Sequence, residues 1–98
     1  MPQPDLPITV ELSLYPLASP GGGALEAPII DFILDLRAQP GVEIVTNAMS
    51  TQLRGPFRAV MAAVTSCSER VLDREEPMVL VTKLINRPLA IEETPDLG

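Results

Sequence analysis

Histidine is absent from the chain, and it has one cysteine, Cys67, one tyrosine, Tyr15, and two phenylalanines. Without an imidazole, the Ser-His-Asp and Cys-His nucleophile systems, the usual zinc sets and histidine acid–base chemistry are all excluded. A lone cysteine cannot form an internal disulfide, which fits a reducing compartment. Positive charge is also scarce: 7 Lys and Arg stand against 13 Asp and Glu, a net charge of −6. Such a balance repels phosphate backbones and anionic lipid heads, so neither nucleic acid nor a membrane surface is expected as a partner. No apolar run approaches the roughly 20 residues that span a bilayer. The opening Met1-Pro2-Gln3-Pro4-Asp5 lacks the basic start and apolar stretch of a signal peptide, so the expected location is cytoplasmic.

What is present is the material of one small domain, 98 residues with 46% hydrophobic content. A chain of this size buries only a little over ~60% of its unfolded surface, so packing against further subunits would add stability. Ile8, Val10, Leu12 and Leu14 alternate with Thr9, Glu11, Ser13 and Tyr15, which predicts a strand with one apolar face. Pro16 and Ser19-Pro20-Gly21-Gly22-Gly23 stop it and predict a mobile loop. From Ala27, the set Ile29, Phe32, Ile33 and Leu36 recurs at helical spacing until Pro40-Gly41, with Asp31 and Asp35 on a solvated outer face.

Val42–Asn47 and Ser50–Gly55 read as a hairpin, although no Asn-Gly turn marks it. Gly55-Pro56 opens a second helix whose stripe runs through Phe57, Val60, Met61, Val64, Cys67 or Ser68, and Val71 to about Leu72. Cys67 reads as inert packing, and Met49 and Met61 as apolar core filler in preference to a ligand lid. Asp73–Pro77 is an exit turn, and Met78–Ile85 is a strand apolar enough to be covered on both faces. The tail from Arg87 to Gly98 is acidic and expected to be loose, which leaves a core of 8–86 within a single domain of 1–98.

The order strand-helix-strand-strand-helix-strand predicts an α+β, ferredoxin-like βαββαβ fold: a four-stranded antiparallel sheet with both helices on one face. Strands one and three then lie at the centre. Two helices cover one sheet face only, leaving Thr9, Glu11, Ser13 and Tyr15, with Val79 and Val81, on the other. A half-apolar, half-polar face of this kind suits a subunit interface enclosing a small ligand.

Glu11-Leu12-Ser13-Leu14-Tyr15-Pro16-Leu17 and Asn47-Ala48-Met49-Ser50-Thr51-Gln52-Leu53-Arg54-Gly55, in their relative places, resemble the thiamine-binding protein family related to YkoF-type proteins. The likeness spans roughly residues 8 to 86. It implies a ferredoxin-like domain, homo-oligomers (dimer or tetramer) built through the sheet face, and a non-catalytic site for thiamine or its hydroxymethylpyrimidine part. The chain carries one repeat where the YkoF form has two, so the second domain would come from another subunit. No cofactor and no metal is expected.

Six residues are the candidate ligand contacts. Tyr15 can stack on an aminopyrimidine and hydrogen-bond through its hydroxyl, or serve as an interface or core aromatic. Ser13 shares its face and is either a ligand contact or simply solvated. Asn47, Ser50 and Thr51 can supply donors and acceptors, or close the hairpin on its own backbone. Glu11 can neutralise a cationic ring, or pair with Lys83 or Arg54 across the sheet. Gly55 is read as a strand-to-helix bend bringing free N–H groups near the site.

Two other readings follow from the same residues. One is a structural or regulatory oligomer with no ligand. The other is an acylphosphatase-like hydrolase using Arg54 and Asn47, which is disfavoured because the loop after Tyr15 holds no arginine.

Overall fold

The computed structural model describes residues 6–18, 25–47 and 49–92. Its elements are β1 (Pro7–Pro16), α1 (Glu26–Arg37), β2 (Glu43–Thr46), β3 (Thr51–Pro56), α2 (Phe57–Leu72) and β4 (Met78–Ile85). The strands form one antiparallel sheet in the order β2-β3-β1-β4, the ferredoxin-like arrangement, with β1 and β3 central. The Gly21-Gly22-Gly23 loop lies outside the described residues. Among the described residues no helix is long and apolar enough to cross a membrane.

The alternation of β1 builds the core. Ile8, Val10, Leu12 and Leu14 are buried against Phe32 and Leu36 of α1 and Val60, Ala63, Val64, Cys67 and Val71 of α2, with Leu53 of β3 completing the cluster. Complete burial of a side chain such as Leu12, Leu36 or Leu53 contributes about 1.5–3 kcal/mol each. The α2 stripe is narrower than its apolar residues suggest, since Phe57 and Leu72 at its two ends are exposed. Burial holds the Cys67 thiol up at about 11, with the neighbouring Asp35 carboxylate adding to the effect, so at neutral pH it is a packed thiol.

Several further expectations are corrected. First, Asp31 and Asp35 are not merely solvated. Arg70 donates from Nε and Nη2 to the two Asp35 oxygens at 2.6 and 2.9 Å, and Arg74 bridges Asp31 and Glu76. These pairs tie α1 to α2 and to the turn after α2.

Second, the tail is pinned over its first six residues. Thr9 Oγ1 donates to the Arg87 carbonyl and accepts from the Leu89 N–H, both at 2.8 Å. Arg54 donates to the Leu89 carbonyl at 2.7 Å and pairs with Glu43 and Glu92. Thr9, on the face away from the helices, is thereby 1% exposed. Residues 93–98 lie outside the described residues.

Third, β4 is an edge strand whose faces are not both covered: Val79, Val81 and Leu84 are exposed.

Gly55 also has a different role from the one its sequence context suggests. It lies within β3 opposite Ile8, and a Cβ there would sit 2.9 Å from the Gly41 carbonyl oxygen. Gly41 itself adopts φ +77°, a left-handed turn geometry that an L side chain strains to reach. The glycine is needed for this close backbone approach, not for a bend. Gly55→Ala is expected to lower stability by about 1–3 kcal/mol, read as a lower urea midpoint; an unchanged midpoint would show that the contact is slack.

The Arg70 guanidinium holds the Asp35 carboxyl below its ordinary range. A depressed folded-state value stabilises the protein above the unfolded carboxylate range and is lost as pH falls through the lower, folded value. Acid should therefore lower the urea midpoint, and Asp35→Asn should flatten that loss between pH 5 and 2, roughly the window of carboxylate titration.

Candidate functional site

The site arises from a mismatch of strand lengths. Pairing of β1 with β3 ends at Leu12↔Thr51, whereas pairing with β4 continues to Pro16↔Met78. Ser13–Pro16 therefore overhang β3, and the main-chain groups a neighbouring strand would take up there face a notch instead. The β2–β3 turn forms one side of the notch and α1 another.

The turn is closed by Asn47. Its Oδ1 accepts from the N–H groups of Met49 and Ser50 at 2.8 and 3.1 Å, and the Asn47 N–H donates to the Ser50 carbonyl at 3.0 Å. This side-chain-closed turn substitutes for the Asn-Gly pair that the sequence lacks. It also halves what Asn47 can offer a ligand. The amide oxygen is spent on the turn, so the Nδ2 donors are what remain.

A cavity of about 270 Å³ occupies the notch. That is slightly below the range of about 300–1,000 Å³ usual for sites holding drug-sized ligands, and suits a single small heterocycle. Ile29, Phe32 and Ile33 of α1, with Leu12 and Leu14, give it apolar walls. Ser13, Tyr15, Thr46, Asn47, Ser50 and Thr51 supply polar groups, and Met49, 83% exposed, stands at the rim.

Five of the six sequence candidates thus line one cavity: Ser13, Tyr15, Asn47, Ser50 and Thr51. They do not share one sheet face. Thr51 lies opposite Leu12 and is buried on the helix side, where its hydroxyl shares a hydrogen bond with Thr46 Oγ1 at 3.1 Å. Ser13 and Tyr15 lie on the opposite face, and the cavity reaches both because it wraps the end of β3.

Glu11, the sixth, is not in the lining but is bound to it. Ser50 Oγ donates to Glu11 Oε2 at 2.9 Å and accepts from Gln52 Nε2 at 2.6 Å. Lys83 Nζ lies 3.4 Å from Glu11 Oε1, so the cross-strand partner is Lys83; Arg54 is engaged with Glu43 and Glu92. With its proton donated and one lone pair filled, the Ser50 hydroxyl presents an acceptor.

Sequence reasoning did not place Leu12, Leu14, Ile29, Phe32, Ile33 or Thr46 in the lining, and it preferred core filler to a ligand lid for Met49. The two isoleucines belong to the helix stripe, and periodicity cannot separate a core position from a cavity wall. Thr46 was recoverable as the hairpin partner of Thr51. Met49, expected as filler, is exposed because the Asn47 turn projects it outward.

A second cavity of about 240 Å³ lies over the helices, lined by Asp31, Phe32, Asp35, Arg70, Val71 and Arg74. Its charged groups are already engaged with one another or with Glu76, so it offers a ligand no unpaired charge. Arg54 and Asn47, the pair a hydrolase would need, are not brought together. Arg54 lies opposite Thr9 at the far end of β3, whereas Asn47 lines the notch.

No protein-family model and no curated protein matches the sequence. Solved structures do match. A Thermotoga maritima protein, provisionally assigned to thiamine biosynthesis or salvage, superimposes with a TM-score of 0.70 at 19% identity, over 88% of this chain and 91% of its own. A domain of unknown function, DUF77, from Bacillus cereus gives 0.69 at 20% identity over 86% and 79%. A Streptococcus pneumoniae protein gives 0.70 at 23% identity over 80% and 83%. At these identities the likeness establishes the shared ferredoxin-like fold of the chain.

Proposed function

We propose that the protein is a non-catalytic binding module for thiamine or a related aminopyrimidine such as hydroxymethylpyrimidine. Its site is the β1 notch, completed within a homo-oligomer through the open sheet face. The observation that carries this reading is the composition of the cavity. Apolar walls face a set of donors and acceptors within a volume suited to one heterocycle. The Asn47 amide donates to a ring nitrogen, Ser50 and the Thr46/Thr51 pair accept from the exocyclic amine, and Tyr15 stacks on the ring. The fold shared with a protein provisionally assigned to thiamine biosynthesis or salvage supports the same ligand class.

The open face supports the oligomer. Tyr15, Val79 and Val81 lie on it in register, 52%, 45% and 39% exposed. Among the described residues the pinned tail covers its Thr9 end, and a second copy would cover the exposed remainder. This exposed patch also favours a second reading, an oligomer whose face is filled by protein alone.

Calorimetry with thiamine and hydroxymethylpyrimidine separates the two. The binding reading expects heat from the assembled protein, at least about tenfold weaker affinity in Tyr15→Ala from loss of stacking, and a smaller loss in Thr51→Val. A folded oligomer giving no heat with either compound would leave the ligand-free reading. A monomer by sedimentation would remove the proposed interface.

A further inference from the structure

Resting on that binding reading, we propose that the notch selects against phosphate esters and takes its aminopyrimidine only in the unphosphorylated form, neutral or cationic. A phosphate entering a partly dry site needs its charge compensated, normally by Arg or Lys; the Asn47 amide and the main-chain groups that β1 leaves facing the notch are neutral and supply no net charge. No lining residue of the notch carries positive charge. The charged side chain bound to the lining is the Glu11 carboxylate, through Ser50.

The cations of the chain lie outside this lining. All seven Lys and Arg residues of the chain fall among the described residues, so none is left in the segments outside them. Lys83 is drawn to Glu11. Arg54 is held by Glu43, Glu92 and the Leu89 carbonyl at the far end of β3. Arg70 joins α2 to α1, and Arg74 joins the turn after α2 to α1. Arg87 follows β4 at its Thr9 end, Arg58 starts α2 beyond that same end of β3, and Arg37 stands in the last turn of α1, a turn past Ile33. The first turn of α1, the other source of positive potential, carries Glu26. A ring with a fixed positive charge meets the favourable sign of this field, and an ester meets the unfavourable one.

The test is calorimetric titration of the full chain with thiamine, hydroxymethylpyrimidine, thiamine monophosphate and thiamine diphosphate at low and moderate salt. Diphosphate should bind at least about tenfold more weakly than thiamine at low salt, with the gap shrinking as salt screens it. Glu11→Gln, which keeps the side-chain shape and releases Lys83, should narrow the gap while circular dichroism stays unchanged. Diphosphate binding as tightly as thiamine would overturn this inference and leave the binding reading intact. A gap unaltered in Glu11→Gln would overturn the role given to that carboxylate. No heat with any of the four would overturn both the reading and the inference.

Discussion

The organising constraint in this molecule is the point at which β1 loses its β3 partner. A central strand normally has both edges occupied, and β1 does so only as far as Leu12↔Thr51. The Asn47 side chain fixes that point by closing the hairpin on the N–H groups of Met49 and Ser50. A longer hairpin would continue the ladder along Ser13–Pro16 and fill the notch with its own backbone. The cavity, its unequal walls and its polar rim all follow from this one turn.

Around that notch the charges are arranged by sign. The cations of the helix layer are spent on Asp31, Asp35 and Glu76, where they bind α1 to α2 and to the exit turn. On the sheet's far face Arg54 gathers Glu43, Glu92 and a carbonyl, and so holds the C-terminal segment against Thr9. Exposed pairs of this kind contribute little stability each, because water and salt screen them, and their more important effect is positional. They hold these three arginines outside the notch lining and, among the described residues, leave the open face covered at its Thr9 end and exposed at its Tyr15 end.

Much of the architecture was legible in the sequence because it depends on short-range periodicity. The alternation of Ile8 to Leu14 and the helical spacing of Phe32 and Leu36 each specify an element and the face it buries, and the apolar run of β4 specifies its strand but not its covering. The right-handed crossover preference then orders the strands. The candidate residues Ser13, Tyr15, Asn47, Ser50 and Thr51 were also named from sequence, by polarity, position and family resemblance. Their common cavity was not visible there, nor that Thr51 reaches it from the opposite face to Ser13 and Tyr15.

What the sequence determined by itself, then, is the set of elements, the buried faces of β1 and the helices, and the overall sign of the charge. These are local or additive properties, and neighbouring residues or simple sums suffice to fix them. Only the tertiary structure decided which strand ends first, which carboxylate each arginine takes, that Gly55 meets the Gly41 carbonyl, and that Thr9 clasps the tail across 78 residues of chain. Each of these is a contact between segments distant in sequence. Its geometry depends on register and packing across the whole sheet, information that no local window contains.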